Sequence, residues 1–359
     1  MPFERHFVFW IGALLVFIGL LWLLSPILLP FVLGVALAYL LDPLATRLTK
    51  RGLNRTLAAL LILVGFAFAG IGAVLLIAPV LAKQFSVFVS EFIGSIPNYI
   101  QHLQSWIDDP SHPWLKRILG DTFANTEKSI SNLLVPAIES LNALLGTLLA
   151  RGRSLVTLFS VLIIGPVVAF YLLCDWDRLL NSLDRLIPLP QRQTVRGLAR
   201  EIDASISAYV HGQTIVCLIL GCYYAVALTA AGSKFGLLIG VVSGTISFVP
   251  YLGSFTALVL SFGVAMEQFY PQWGVIFLII ALILMGQFVE AYIVAPKLFG
   301  NKVGLHPVWL IFALFAFGYL FGFVGLLLAV PLGAAAGVLF RFAVRHYRDS
   351  SLYTGDSPD

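Results

Sequence analysis

The sequence predicts an all-α, polytopic transmembrane protein with discontinuous or re-entrant helices and a small extramembrane helical domain. Three observations predict it. The 359 residues are 59% hydrophobic and only 11% charged, with mean hydropathy +0.94, whereas soluble domains run near 25% charged. Uncharged runs long enough to cross a bilayer recur along the chain. Two late runs, Phe235 to Met266 and Pro307 to Phe340, are too long for one upright helix and too short for two, and both carry Gly and Pro internally.

Residues 7–41 carry no formal charge. As one helix they would reach about 52 Å, against a hydrocarbon core of about 30 Å. Ser25-Pro26 and Pro30 interrupt the run, which predicts two short helices near 7–24 and 27–41. No small-x-small cleavage site follows the first apolar run, so it is expected to be retained. The next loop holds Arg47, Lys50, Arg51 and Arg55 against Asp42. That excess of bases places it in the cytoplasm, and a third helix, 56–82, leads to the far side. The N-terminal transmembrane unit is thus 1–82.

Residues 83–153 mix acids and bases evenly. Leu81, Phe85, Phe88, Phe92, Ile96, Tyr99, Leu103 and Trp106 recur at spacings of three and four, the signature of an amphipathic helix. A second such stripe runs from Ile130 to Leu148. The pair reads as an extracytoplasmic helical hairpin that buries its own stripe or meets a neighbouring subunit, with Phe88 and Phe92 as candidate contacts. A span over 154–174 returns inward. Residues 175–203, rich in Arg, read as cytoplasmic helices split at Ile187-Pro188-Leu189-Pro190, with CDWD (Asp175, Asp177) as a solvated helix start. Residues 204–345 form the transmembrane core, and 346–359 a cytoplasmic tail.

Within the core, Gln287 and Glu290 stand one helical turn apart, and Gln268 to Val289 carry no charge. Placing a carboxylate in hydrocarbon costs roughly 2–4 kcal/mol, so an intramembrane acid is expected to face protein or water and to be functional. Glu290 is the candidate for binding a coupling proton, a cation or a polar substrate group. The alternative is a structural acid paired with Lys297 or capping a helix. Gln287 offers donors and an acceptor toward the same cavity. Gln213, beside His211, is a further binding candidate, against an interfacial role at the start of a span.

Each long uncharged stretch contains a block of seven ending in proline, GTISFVP at 244–250 and GLLLAVP at 325–331. Paired Gly/Pro-interrupted segments point to a transport site. Pro250 with Gly253, and Pro331 with Gly333, are the predicted break or gate positions, against ordinary kinks. If both stretches are hairpins they enter from opposite faces and leave Lys297 and Lys302 in the cytoplasm. If both are continuous spans, those lysines lie outside. The distribution of basic residues favours hairpins.

The chain lacks a Walker loop, HExxH, GxSxG and a dinucleotide fingerprint; it is expected not to be an enzyme or its own ATPase, and to need no cofactor. Cys174, Cys217 and Cys222 have no metal-ligand spacing, and the six histidines are scattered, so no metal site is expected. The basic residues lie in short loops and the tail, as membrane orientation requires, which argues against nucleic-acid binding.

An ordered set of residues resembles a known family. It comprises Ile187-Pro188; Gly212-Gln213; Val249-Pro250-Tyr251-Leu252-Gly253; Gln287, Glu290 and Pro296; Leu305-His306-Pro307; and Gly322, Gly325 and Val330-Pro331. The order and spacing resemble the autoinducer-2 exporter family, also called PerM-like permeases, over the chain to about Arg345. The resemblance implies a homo-oligomeric (by resemblance even pentameric) multi-pass protein of the bacterial inner membrane, with seven or eight helices, that moves solutes without ATP. It implies a secondary exporter of a small solute such as an autoinducer-2-like signal. A sodium/proton antiporter, or a channel or structural membrane protein without coupled transport, are the alternatives. The expected partners are the lipid bilayer and a small-molecule or ion substrate, and both termini are expected in the cytoplasm.

Hairpin topology makes a direct prediction. In a background lacking Cys174, Cys217 and Cys222, Lys302→Cys should react with a membrane-impermeant maleimide only after cells are opened. Labelling of intact cells would restore the continuous spans.

Overall fold

A computed structural model describes residues 19–20, 23–93, 160–299, 306–348 and 353. The helix expected over 7–24, nearly all of the domain expected over 83–153 and the Lys302 loop lie outside the described residues. Among those residues the regular structure is helical. The helices are α1 Ser25–Lys50, α2 Arg55–Val87, α3 Gly165–Arg185, α4 Arg192–Ala230, α5 Gly236–Ile246, α6 Leu252–Phe269, α7 Trp273–Val289, α8 Ala295–Phe299 and α9 Pro307–Arg348. Six of them are long and apolar enough to cross a membrane.

Several boundaries run past the expected ones. α1 continues through Pro30 and Pro43 to Lys50. Arg55 rewards that extension: its Nε donates to Leu173 O (2.7 Å), and its two terminal nitrogens reach Thr46 (3.1 Å) and Asp42 (2.5 Å), tying α1, α2 and α3. α3 likewise passes Asp175, so CDWD is not a helix start; Asp175 sits mid-helix and accepts from Arg178 one turn on. At the α3–α4 corner, Arg196 and Arg192 both bind Asp184. Chiefly the hydrogen bond from Arg196 lowers its carboxyl pKa to about 2. α4 then runs unbroken for 39 residues, about 58 Å, so the latter part of the segment expected in the cytoplasm and the next span are one helix.

The stretch from 235 to 266 is a hairpin. The chain breaks between α5 and α6, and the two helices pack side by side. The open end is clamped by Gln268, whose Oε1 accepts from Lys234 N (3.0 Å) and whose Nε2 donates to Gly232 O (2.7 Å). Residues 34 apart therefore sit at the same end. Gln84 of α2 accepts from Leu238 N (2.9 Å), satisfying a donor in the first turn of short α5.

The sequence reading did not single out the stripe that seats this hairpin. Gly236, Gly240 and Gly244 line the face of α5 against α4. A Cβ on Gly240 would fall 2.5 Å from Ala225 Cα, and one on Gly244 2.5 Å from Gly221 Cα. Backbone meets backbone here, the close approach that small residues permit between membrane helices. Around this seam lie Val216, Leu220, Tyr224, Leu228, Ile239, Ala257, Val264, Ile276, Ile279 and Ile283, all buried. Phe88 packs on this same cluster, edge-on to Phe235 at 5.3 Å. Phe88 thus has a partner within its own chain.

The stretch from 307 to 340 also folds back. The turn is Gly322, at φ 59° and ψ −136° inside α9. A Cβ on Gly318 would lie 2.9 Å from Leu326, and one on Gly325 2.5 Å from the carbonyl carbon of Phe317. Residues eight apart in a straight helix would be about 12 Å apart along the axis, so 307–321 and 323–348 are two arms. Pro331 and Gly333 do not make this break: both lie buried within the second arm. Helical backbone runs through Pro331, and the residue that supplies the forbidden dihedrals is the glycine nine positions earlier. Following the chain through both hairpins puts α8 and the open end of α9 on the side from which α4 starts, where Glu201 and Arg341 pair at 2.9 Å.

Gly240→Ala should lower thermal stability in detergent by about 1–3 kcal/mol, because the atoms in its way are backbone. Gly197→Ala, with open space around it, should hold or gain about 0.5–1 kcal/mol. Equal unfolding temperatures for the two variants would contradict the α4–α5 seam.

Candidate functional site

The tip of the first hairpin, residues 247–251, is non-helical backbone between two apolar helices. Such backbone must find partners within the protein or at water. Within the tip, Ser247 N, Phe248 N and Val249 N donate to Ser243 O, Thr245 O and Ile246 O at 2.8, 3.2 and 2.9 Å. Leu252 N then reaches Val249 O (3.3 Å) and Phe255 N reaches Tyr251 O (3.0 Å). Of the tip carbonyls without a backbone partner, α4 takes two. Gln213 Nε2 donates to Ser247 O, and Tyr209 Oη donates to Phe248 O at 2.7 Å. Pro250 has no N–H to satisfy. Tyr251 holds φ at 68°, an uncommon value for a non-glycine residue. Gly253 lets the arms close directly after the turn, since a Cβ there would sit 2.5 Å from Ser247 Cα.

The other side of the tip is held by α7. Ser254 Oγ donates to Glu290 Oε2 at 2.9 Å, and Gln287 Nε2 makes a long bond, 3.4 Å, to Ser254 O. Glu290 opens a π-helical turn, Glu290–Val294, that separates α7 from α8. Turns of this kind inside α-helices recur at functional sites. One turn earlier, Gly286 allows the rings of Tyr223 and Tyr224 to lie against α7; a Cβ would be 2.6 Å from Tyr224 Cε1. Tyr223 Oη also donates to Leu282 O at 2.9 Å. These contacts fix the rotation of α7 and so the direction of Gln287 and Glu290.

Between these elements lies a cavity of about 530 Å³. α4 lends Tyr209 and Gln213, the hairpin tip lends Pro250, Tyr251 and Ser254, and α7 with its π turn lends Gln287, Glu290 and Ala291. Ala295, Leu310 and Val330 complete an apolar wall. The structure thus gathers Glu290, Gln287, Gln213 and Pro250, which lie as far as 77 residues apart in the chain, around one space. Gly253 supports the tip from behind. Pro331 and Gly333 are not among the lining residues, although Val330 is, packed with Tyr209 and Val210. Glu290 and Lys297 form no ion pair among the described residues. Gln213 sits 3% exposed in mid-helix, so it is not a residue of a span's interfacial start.

Tyr209, Tyr251 and Ser254 are site residues that the sequence reading did not select as such. Tyr209 was detectable: it stands one turn before Gln213 on α4, the helix face opposite the predicted break. His211 points elsewhere, into a separate space of about 120 Å³ between α1, α3 and α4, with its Nδ1 2.7 Å from Ser207 O.

If the tip hangs on α4 by these two bonds, Gln213→Leu orphans a buried carbonyl and should cost about 1–3 kcal/mol of stability, while Tyr209→Phe should cost about 0.5–1.5 kcal/mol. Thermal unfolding in detergent measures both, and an unchanged Gln213→Leu protein would contradict the latch.

The signature of AI-2E family transporters matches residues 11–345. Over 327 residues the chain is 30% identical to "Putative transport protein YrrI" of Bacillus subtilis (strain 168), covering 89% of this chain and 87% of that one. It is 29% identical over 324 residues to "Putative permease PerM" of Escherichia coli (strain K12), covering 88% and 86%. A third relative, "Putative transport protein MT0215" of Mycobacterium tuberculosis, is 27% identical over 341 residues, covering 92% and 88%. With a multi-pass helical architecture and a cavity that brings Gln213, Gln287 and Glu290 together between its helices, the chain belongs to the AI-2E family of membrane transporters.

Proposed function

We propose that the protein is a secondary transporter of the bacterial inner membrane that exports a small solute, of the autoinducer-2-like kind its family is named for, using an ion gradient. The observation that supports this most is the position of Glu290. Among the described residues it is the only charged one lining the cavity, and its described hydrogen-bond partner, Ser254, belongs to the broken hairpin. Ionic state and gate geometry therefore meet in one bond. A carboxylate accepts a hydrogen bond roughly twice as strong as a neutral group does. A proton or cation taken up by Glu290 weakens its hold on Ser254 and so on the first turn of α6. The tip then pivots on its α4 attachments, and the cavity opens toward one side or the other.

Solute export accounts for the site better than bare cation/proton antiport, because a cavity of about 530 Å³ with one apolar wall is in the size range of small-molecule sites. In this reading the protein is a homo-oligomer and each subunit carries its own path. Both termini face the cytoplasm in this reading, and solute enters from the side of Glu201 and Arg341.

Inside-out membrane vesicles test the proposal. Imposing a proton or sodium gradient should drive solute accumulation by the native protein, and Glu290→Gln should abolish it with protein levels near normal. Full accumulation in Glu290→Gln would overturn the coupling role. Loss of the variant from the membrane would assign the acid to structure instead.

A further inference from the structure

The hydrogen-bond accounting around the cavity carries one inference more; it rests on the gradient-driven transport proposed above and differs from that reading in the chemistry of the solute. We infer that the cavity selects a small protonated amine with an apolar body, in preference to a neutral analogue and to the exclusion of an anion.

The argument begins with where the donors go. Five donor side chains line the cavity, and four of them are turned onto the protein. Tyr209 Oη gives its proton to Phe248 O, Gln213 Nε2 donates to Ser247 O, Gln287 Nε2 to Ser254 O, and Ser254 Oγ to Glu290. One N–H on each amide and the Tyr251 hydroxyl are left over. Against those three stand the acceptors: the Glu290 carboxylate beyond its single bond to Ser254, and Gln213 Oε1 and Gln287 Oε1, which receive no hydrogen bond among the described residues. The cavity thus presents an excess of acceptors and one negative charge.

Among the described residues nothing in the lining offsets that charge: none of those that line the cavity is Lys, Arg or His. An anion placed here would meet Glu290 without a counter-charge, in a setting where like charges repel far more strongly than in water. An ammonium group supplies what is missing: three N–H donors and a positive charge. The aromatic rings of Tyr209 and Tyr251 belong to the same lining, and such rings attract an ammonium group lying over their faces. Ala291, Ala295, Leu310 and Val330 then offer the rest of the guest an apolar wall. The volume, about 530 Å³, exceeds the roughly 30 Å³ share of a single water many times over, so the space suits an organic cation rather than a bare metal ion.

Three probes of one carbon skeleton test this: 2-phenylethylamine, 2-phenylethanol and phenylacetate. At neutral pH the first is an ammonium, as a lysine side chain is. Binding to the purified full chain in detergent is measured calorimetrically. The amine should bind at least tenfold tighter than the alcohol, and phenylacetate should not bind. Glu290→Gln should bring the amine to within about twofold of the alcohol while leaving the alcohol unchanged. Equal binding of all three probes, preference for phenylacetate, or an amine affinity untouched by Glu290→Gln would overturn the inference. The comparison among probes on the native chain needs no variant to fold. Uptake of labelled amine into proteoliposomes separates this claim from the one beneath it. Selective amine binding without gradient-driven uptake would uphold the site and overturn the transport reading. Uptake of an anion or neutral solute, with no preference for the amine, would do the reverse.

Discussion

A bilayer offers no water to unpaired backbone, and the first hairpin tip is where that constraint binds hardest. The carbonyls of Ser247 and Phe248 lie past the last turn of α5, and Gln213 and Tyr209 answer them from α4. Most of the site follows from this arrangement. The glycines at 236, 240 and 244 exist to bring α5 against α4 closely enough for those side chains to reach. Gly253 lets α6 leave the turn without pushing Ser247 off its partner. The Gln268 clamp fixes the open end of the hairpin, so the tip is the part left to depend on side chains alone.

The same tip is also held by Glu290, the one charged residue that lines the cavity among the described residues. Ser254 begins the second arm and donates to Glu290, which lies at a π turn after a helix with no other charge. A broken backbone is stable here only while polar side chains from two neighbours hold it. One of those neighbours changes its strength as an acceptor when it binds a proton or a cation. In the transport reading proposed above, structural necessity and a means of gating therefore occupy the same few atoms. The second hairpin contributes differently, packing Val330 and Leu310 beside Tyr209 at the base of the cavity.

Much of this was legible in the sequence. Charge scarcity gave the class, and a lone acid in a long uncharged run gave Glu290 and Gln287. Pro250 marked a true break because its block also ends a helix in Ser247 and Phe248, where turn bonds replace helical ones. The parallel block ending at Pro331 misled. A proline costs a helix one hydrogen bond, but neighbouring helices can absorb that loss in a membrane, whereas the dihedrals at Gly322 cannot be absorbed by most residues at all. The G-x3-G-x3-G stripe on α5 was visible but unremarked, because glycine in an apolar run carries no polarity signal. Helix ends at Lys50, Arg185 and across 203 were misplaced, since salt bridges such as Arg196 with Asp184 stabilise helix beyond the apolar region. The roles of Tyr209 and Ser254 depended on pairings across 39 and 36 residues, which local pattern does not specify.

The account stands or falls on whether the tip is held by Ser254 from the Glu290 side. Amide hydrogen exchange in Ser254→Ala measures this directly, residue by residue. Losing the hydroxyl should speed exchange at 247–255 by about tenfold, while amides in α4 between 216 and 230 keep their native protection. Unchanged protection at the tip would contradict the account, because the hairpin would then be held by its packing alone.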